Sequence, residues 1–311
     1  MIKYLIRRFL WLVPVFFTVA LVTFVLMHAA PGGPWDTDPM MRKVDPRTEA
    51  VLNRRYGLDK PLWQQFLDYV WNAAQGKLGP SYRLRGRQVE DVLRERFPTT
   101  AKLGLLALAM AIVVGLPLGV IAALRQNTWV DYFSLFFATV GTAVPSFVLG
   151  IFLIIIFASW LHWVTVLESD WSSFKPWILP AVVLGVGTAA YIARLSRSSM
   201  LEVIRQDYVR TARAKGLSER AIILQHMLQN ALIPVVTILG PALANLITGS
   251  FIIETLFRVP GMGRLYVTAI NQRDYSMIMG TTLFYAVIIA LTNLGVDITY
   301  GFLDPRIKAS E

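Results

Sequence analysis

The sequence predicts an all-α integral membrane protein with six transmembrane helices and both termini inside. Three observations carry this. Hydrophobic residues make up 55% of the 311 positions and charged residues only 16%, and the mean hydropathy is positive. Apolar stretches of about 20 residues recur, long enough to cross a hydrocarbon core of roughly 30 Å. The basic residues collect in the short segments between those stretches, where they set orientation. In lipid the stretches must be helices, because each unpaired backbone group there costs several kcal/mol. The net charge of +10 is accounted for by these segments, so no nucleic-acid partner is expected. With no cysteine, a disulfide framework, a thiolate metal site and a cysteine nucleophile are all excluded.

The first span runs from about Phe9 to Ala29, after Lys3, Arg7 and Arg8, which hold the N-terminus in the cytoplasm. Its apolar run is longer than the roughly 7–15 residues of a signal-peptide core, so it is expected to be retained. Residues 31–99 form an extracytoplasmic segment with soluble character, turn-rich at PGGPW and DPMMRKVDP. Within it Pro61, Leu62, Gln65, Phe66, Tyr69, Val70 and Ala73 recur at helical spacing, with Asp59 as a candidate cap and an end near Gly76. Val89, Val92, Leu93 and Phe97 predict a further amphipathic turn or two ending at Pro98. This segment reads either as interfacial helices packed on the spans or as a docking surface for an outer partner.

Residues 100–311 hold five more spans: about Lys102–Leu124, Tyr132–Trp160, Pro176–Ala193, Ala231–Leu256 and Ser276–Leu303. Pro117, Pro145, Pro234, Gly240 and Pro241 lie inside them and predict bends, since proline removes a donor and clashes with the preceding turn. Gly185, Gly187, Ala189 and Ala190 allow close helix contact. The loop 194–230 is strongly basic, with Arg194, Arg197, Arg205, Arg210, Arg213, Lys215 and Arg220 against Glu202, Asp207 and Glu219. The loop at 161–175 carries Glu168 and Asp170 against Lys175. The basic loop is therefore assigned to the cytoplasm.

Charged groups at membrane depth are costly and mark pairing or function. Asp297 lies deep in the last span, one turn from Asn293, and Glu254 near the outer end of the fifth. Asp297 reads either as a paired interhelical contact or as part of a path or gate, and Glu254 and Asn293 are candidates for the same path. His28 is read as an interface residue. His28, His162 and His226 are scattered and make no metal cluster. No phosphate-binding loop, zinc-protease helix or serine-hydrolase elbow occurs. The chain is expected to be no enzyme, to hold no cofactor of its own, and to draw its energy from elsewhere.

The stretch YVRTARAKGLSERAIILQHMLQNALIPVVT, residues 208–237, stands out as a polar, basic segment between apolar runs. Leu201, Ile204, Tyr208, Val209 and Ala212 recur along one face, Gly216 breaks the helix in a conformation that excludes larger residues, and Ser218 is an N-cap for the next helical turn. Together with IKYLIRRFLWLVPVFF, YGLDKPLWQQF, GKLGPSY, the run from Gly249 to Gly280, and NLGVDITYGFLDPRIK, this stretch resembles the permease subunits of oligopeptide/dipeptide ABC importers. The extended N-terminal span and long outer segment look like the first of the two permeases such systems use.

The resemblance implies a type I ABC importer permease fold in the plasma (inner) membrane of a prokaryote. It implies as partners a second, related but distinct permease, two ATPase subunits that bind ATP and magnesium, an extracytoplasmic solute-binding protein and the surrounding lipid. Peptide is the implied solute, although metal chelates, glutathione and glycosides are carried in the wider family. By the same likeness Tyr208, Arg210, Thr211, Ala212 and Arg213, with Ala214, Lys215, Gly216, Leu217 and Ser218, form the loop that couples to the ATPase. The broad motif has Glu-Ala-Ala where this chain has Arg210, Thr211 and Ala212, so the usual glutamate is absent. An exporter subunit and an ATP-independent carrier or channel are the rival readings. The first lacks a use for the outer segment, and the second needs an ion-coupling site for which Asp297 is the sole buried acid.

Overall fold

The computed structural model describes residues 2–35, 45–164 and 170–303, with side chains for all but 2–6, 9 and 296–303. The turn-rich residues 38–44, Glu168, and the sequence after Leu303 lie outside the described residues. Every regular element among those described is helical: α1 (Ile2–Ala29), α2 (Pro46–Tyr56), α3 (Leu62–Ala74), α4 (Val89–Leu124), α5 (Trp129–Ala143), α6 (Ser146–Ile154), α7 (Lys175–Ile204), α8 (Asp207–Ala214), α9 (Glu219–Ala221), α10 (Leu228–Ala231), α11 (Ile233–Thr248), α12 (Phe251–Leu256), α13 (Met262–Gln272) and α14 (Tyr275–Leu303). Two π-helical turns, Ile155–Trp160 and Ile222–Met227, extend α6 and join α9 to α10. Among the described residues five segments are long and apolar enough to cross a membrane, and α5 with the extended α6 forms a bent pair that gives a sixth if counted as one span.

Several boundaries differ from the expected ones for local reasons. The pair α5/α6 turns through 104° at Val144–Pro145, where proline disfavours a helical preceding residue and Val144 takes extended angles. By contrast α4 continues through both Pro98 and Pro117, so the turns from Val89 are the start of one long helix and do not end at Pro98. Pro234 falls in the first turn of α11, where its missing N–H costs nothing. The cap of α3 is Pro61, not Asp59. Helix α7 runs past the expected Ala193 to Ile204, because the arginines there project from a helix whose other face stays buried.

The chain divides into two compact units. In the first, residues up to Thr100 with Pro260–Leu291, α1 packs on α3 through Phe66, whose ring stands 5.4 Å from both Phe17 and Phe24. Val89, Val92 and Leu93 pack with Met262, Ala269 and Met277. The loop after Pro80 is pinned by one carboxylate: Asp274 accepts from the Ser81 hydroxyl, from the Tyr82 and Arg83 N–H groups at 3.1 and 3.2 Å, and from the Met277 N–H at 3.2 Å. A buried carboxylate is stable only when so satisfied.

The second unit is built around α7, which packs on α5, α6 and α11. Close approach to α4 comes from glycine. A Cβ on Gly115 would stand 2.4 Å from the Ala189 carbonyl oxygen, and one on Gly119 2.3 Å from that of Ala193. Gly185 on α7 reciprocates against the Ala107 carbonyl at 2.5 Å. The four-residue spacing of Gly115 and Gly119 puts both on one helix face, the small-residue pattern that lets membrane helices touch backbone to backbone.

Candidate functional site

The segment after α7 is an interrupted helical hairpin built on a dry base. Val209 and Ala212 of α8 are buried with Met200 and Val203 of α7, Ala123 of α4, and Ile222, Met227 and Ala231. Of the expected stripe, Leu201, Ile204, Val209 and Ala212 form this packing surface, whereas Tyr208 is exposed. The surface spans two helices, since the chain breaks at Arg205–Gln206 between α7 and α8. Burying these side chains contributes roughly 1.5–3 kcal/mol for each large one, enough to hold a short helix that would not persist alone.

The opposite face is open. Every residue from Arg213 to Arg220 is exposed. Gly216 has φ +78°, and a Cβ there would meet nothing within 4 Å. The requirement for glycine is therefore one of backbone conformation, since a left-handed residue with a side chain costs roughly 1–2 kcal/mol. Ser218 Oγ accepts from the Ala221 N–H at 3.4 Å and caps α9. Arg213 Nε donates to Glu219 at 2.9 Å, bridging the two arms of the turn. Asn230 Nδ2 donates to the Tyr208 hydroxyl at 3.0 Å, tying α8 to α10. Arg210 reaches Asp207 at 3.5 Å within its own helix. Thr211 Oγ1 donates to the Asp207 carbonyl at 3.0 Å, and Ala214, Lys215 and Leu217 complete the exposed tip.

Behind this hairpin α7 is clamped to α5 by charge. Arg197 holds Asp131 through two parallel bonds, Nε–Oδ1 at 2.5 Å and Nη2–Oδ2 at 2.8 Å. The carboxylate also accepts the Asn127 N–H at 3.0 Å. One turn up α7, Arg194 donates to the Ala138 carbonyl and the Thr142 hydroxyl, each at 3.1 Å. Sequence reasoning missed Asp131; its signal was an acid in the first turn of an apolar helix.

The path candidates lie on other elements than the hairpin, Glu254 on α12 and Asn293 and Asp297 on α14. Glu254 is fully buried in α12 and accepts from the Ser250 hydroxyl at 2.6 Å; with Asp131 and Asp274 buried as well, the expectation of Asp297 as the sole buried acid does not hold. Asn293 is half-buried on α14, and Asp297 lies outside the residues whose side chains are described. Among the described residues no group of three His, Asp or Glu side chains could hold a metal ion.

Span-length helices in this order, with a polar helical hairpin set between the third and fourth long ones, define a multi-pass membrane protein. The fold is that of type I ABC importer permeases. It is similar to a chain of the methionine ABC transporter MetNI in an inward-facing conformation, with TM-score 0.56 over 68% of this chain and 96% of that one, at 18% identity. It is also similar to a chain of an amino acid ABC transporter, with TM-score 0.51 over 70% of this chain and 94% of the other, at 14% identity.

Residues 115–309 match the family described as binding-protein-dependent transport system inner membrane component, and residues 1–104 its N-terminal family. The chain belongs to this family and is a transmembrane permease subunit of an ABC importer. It is 44% identical to the dipeptide transport system permease protein DppB of Bacillus subtilis over 99% of this chain and 98% of that protein. It is 40% identical to the oligopeptide transport system permease protein OppB of Escherichia coli K12, over 99% and 100%.

Proposed function

We propose that this chain carries peptides across a prokaryotic plasma membrane, paired with a related but distinct permease, and that residues 208–218 are its contact with an ATPase subunit. The observation that carries this is the hairpin: a buried apolar face fixed on α4 and α7, and an exposed tip turned at Gly216. Such a part transmits rigid-body movement, because its base cannot slide without exposing Val209, Ala212 and Met227. ATP and magnesium are bound by two ATPase subunits, and a solute-binding protein delivers the peptide from outside. Drawing the ATPases together would then move both hairpins and open the path outward, and hydrolysis would reset it. The peptide permeases among its relatives support the choice of solute.

The test is Gly216→Trp in the assembled transporter, reconstituted in liposomes. The chain should still insert, because a side chain there meets nothing within the chain, while ATP hydrolysis should become uncoupled from uptake. Peptide uptake should fall about tenfold or more, the effect of roughly 1–2 kcal/mol of misplacement at the turn. Wild-type uptake by the variant, with normal stimulation by the loaded binding protein, would overturn the assignment.

A further inference from the structure

The first unit contains two adjoining cavities, and we propose that together they bind one phospholipid of the outer leaflet. The lower is an apolar groove of about 550 Å³ between α1 and α3, lined by Phe17, Leu21 and Val25 on one side and by Leu62, Trp63 and Leu67 on the other. The upper is a polar cup of about 270 Å³ that includes Arg55, Lys60, Asp68, Tyr69 and Lys77 in its wall. Phe24 and His28 line both, so the groove leads to the cup at the end of the first span.

Each half has the chemistry of one part of a lipid. The groove runs along the last turns of a helix of membrane-spanning length and composition, so its open side faces hydrocarbon and an acyl chain fills it against an almost wholly apolar lining. In the cup, Lys60 is neutralised by Asp68 at 2.6 Å. Arg55 and Lys77 have no carboxylate partner among the described residues, and they leave a net positive rim for a phosphodiester. Burial above all raises the Tyr69 and Tyr82 hydroxyls, Tyr82 to about 12, so both stay neutral. The buried Tyr69 Oη has no hydrogen-bond partner and is a donor suited to a phosphate oxygen or ester carbonyl. His28 Nδ1 is engaged with the Phe24 carbonyl at 2.9 Å, which holds its ring at the mouth between cup and groove. On α3, Trp63, Leu67 and Trp71 recur every fourth residue and are exposed, the stripe of a helix lying at an interface.

The site rests on the N-in orientation of the first span and not on the identity of the transported solute. The complete transporter is reconstituted in phosphatidylcholine nanodiscs that contain a small fraction of phosphatidylglycerol with a photoreactive acyl chain, and the labelled peptides are mapped. Labelling should concentrate on residues 17–29 and 62–67, saturate with dose, and be displaced by unlabelled phosphatidylglycerol. The double variant Arg55→Gln, Lys77→Gln should lower it about tenfold, the loss expected for two charge-assisted contacts, with labelling of α5 at Phe133 and Phe136 unchanged. Val25→Trp, which fills the groove and leaves the charges alone, should abolish it independently. Labelling of α1 and α3 that merely tracks that of α5, ignores competitor and survives both variants would overturn the proposal. Peptide uptake and ATP hydrolysis by the same preparations separate this outcome from a failure of the transport reading.

Discussion

Replacing Arg197 with methionine isolates the clamp between α5 and α7. The Asp131 side chain is 2% exposed and that of Arg197 20%. Methionine keeps most of the aliphatic stem but removes both donors, leaving the carboxylate with the Asn127 N–H alone. Removing one partner of a buried ion pair costs about 3–5 kcal/mol. Because Arg197 is one-fifth exposed, partial hydration of the stranded carboxylate lowers this to about 2–3 kcal/mol. Asp131→Leu with Arg197→Met removes the charge along with its partner and should lie within about 1 kcal/mol of the native protein. The two changes should therefore couple by about 2 kcal/mol in a double-mutant cycle, read from unfolding midpoints in mixed detergent and dodecyl sulfate micelles. Uptake should follow the same order, with the single variant worse than the double. A cost below about 0.5 kcal/mol for Arg197→Met, or strict additivity, would refute the reasoning, since independent sites add within that margin.

Two further outcomes concern the packing. Gly119→Leu should destabilise the second unit by about 1–3 kcal/mol or more through over-packing, because its Cβ would stand 2.3 Å from the Ala193 oxygen and 2.7 Å from the Ser196 Cβ. Gly187→Ala should be near neutral, as its nearest neighbour is an ordinary 3.5 Å away; thermal unfolding in detergent compares the pair, and equal midpoints would contradict the close approach. Asp274→Ala removes the common acceptor of Ser81, Tyr82 and Arg83 and should loosen that loop by about 1–3 kcal/mol. Trypsin should then cut faster at Arg83, Arg85 and Arg87, and an unchanged cleavage rate would count against the pinning role.

Much of the architecture was legible because membrane depth imposes a one-dimensional rule. An apolar run of sufficient length must be a helix, so the segments around Phe9–Ala29, Lys102–Leu124 and Ala231–Leu256 could be read without knowing what they touch. The hairpin was legible for a different reason: Gly216 and Ser218 act through their own backbone and the next turn, and local chemistry needs no tertiary partner. Helix ends were less legible. The residues from Val89 look like a separate amphipathic piece, yet they pack on Met262 and Met277 and prolong α4 by more than three turns. Proline was ambiguous for the same reason: Pro117 is carried within a helix supported along its length, whereas Pro145 marks a 104° turn.

From sequence alone came the helical class, the likeness to peptide permeases and the position of the exposed turn, since each depends on composition or on neighbours within a few residues. Only the tertiary structure decided that Asp131 belongs to Arg197, 66 residues away, and Asp274 to Ser81, 193 residues away. It also decided that Gly115 and Gly119 meet the backbone of α7 and that Phe24 and His28 join a groove to a cup. The physical reason is that a charge, a glycine or a histidine can be satisfied in many ways. Which partner it takes is settled when helices distant in the chain are brought into contact.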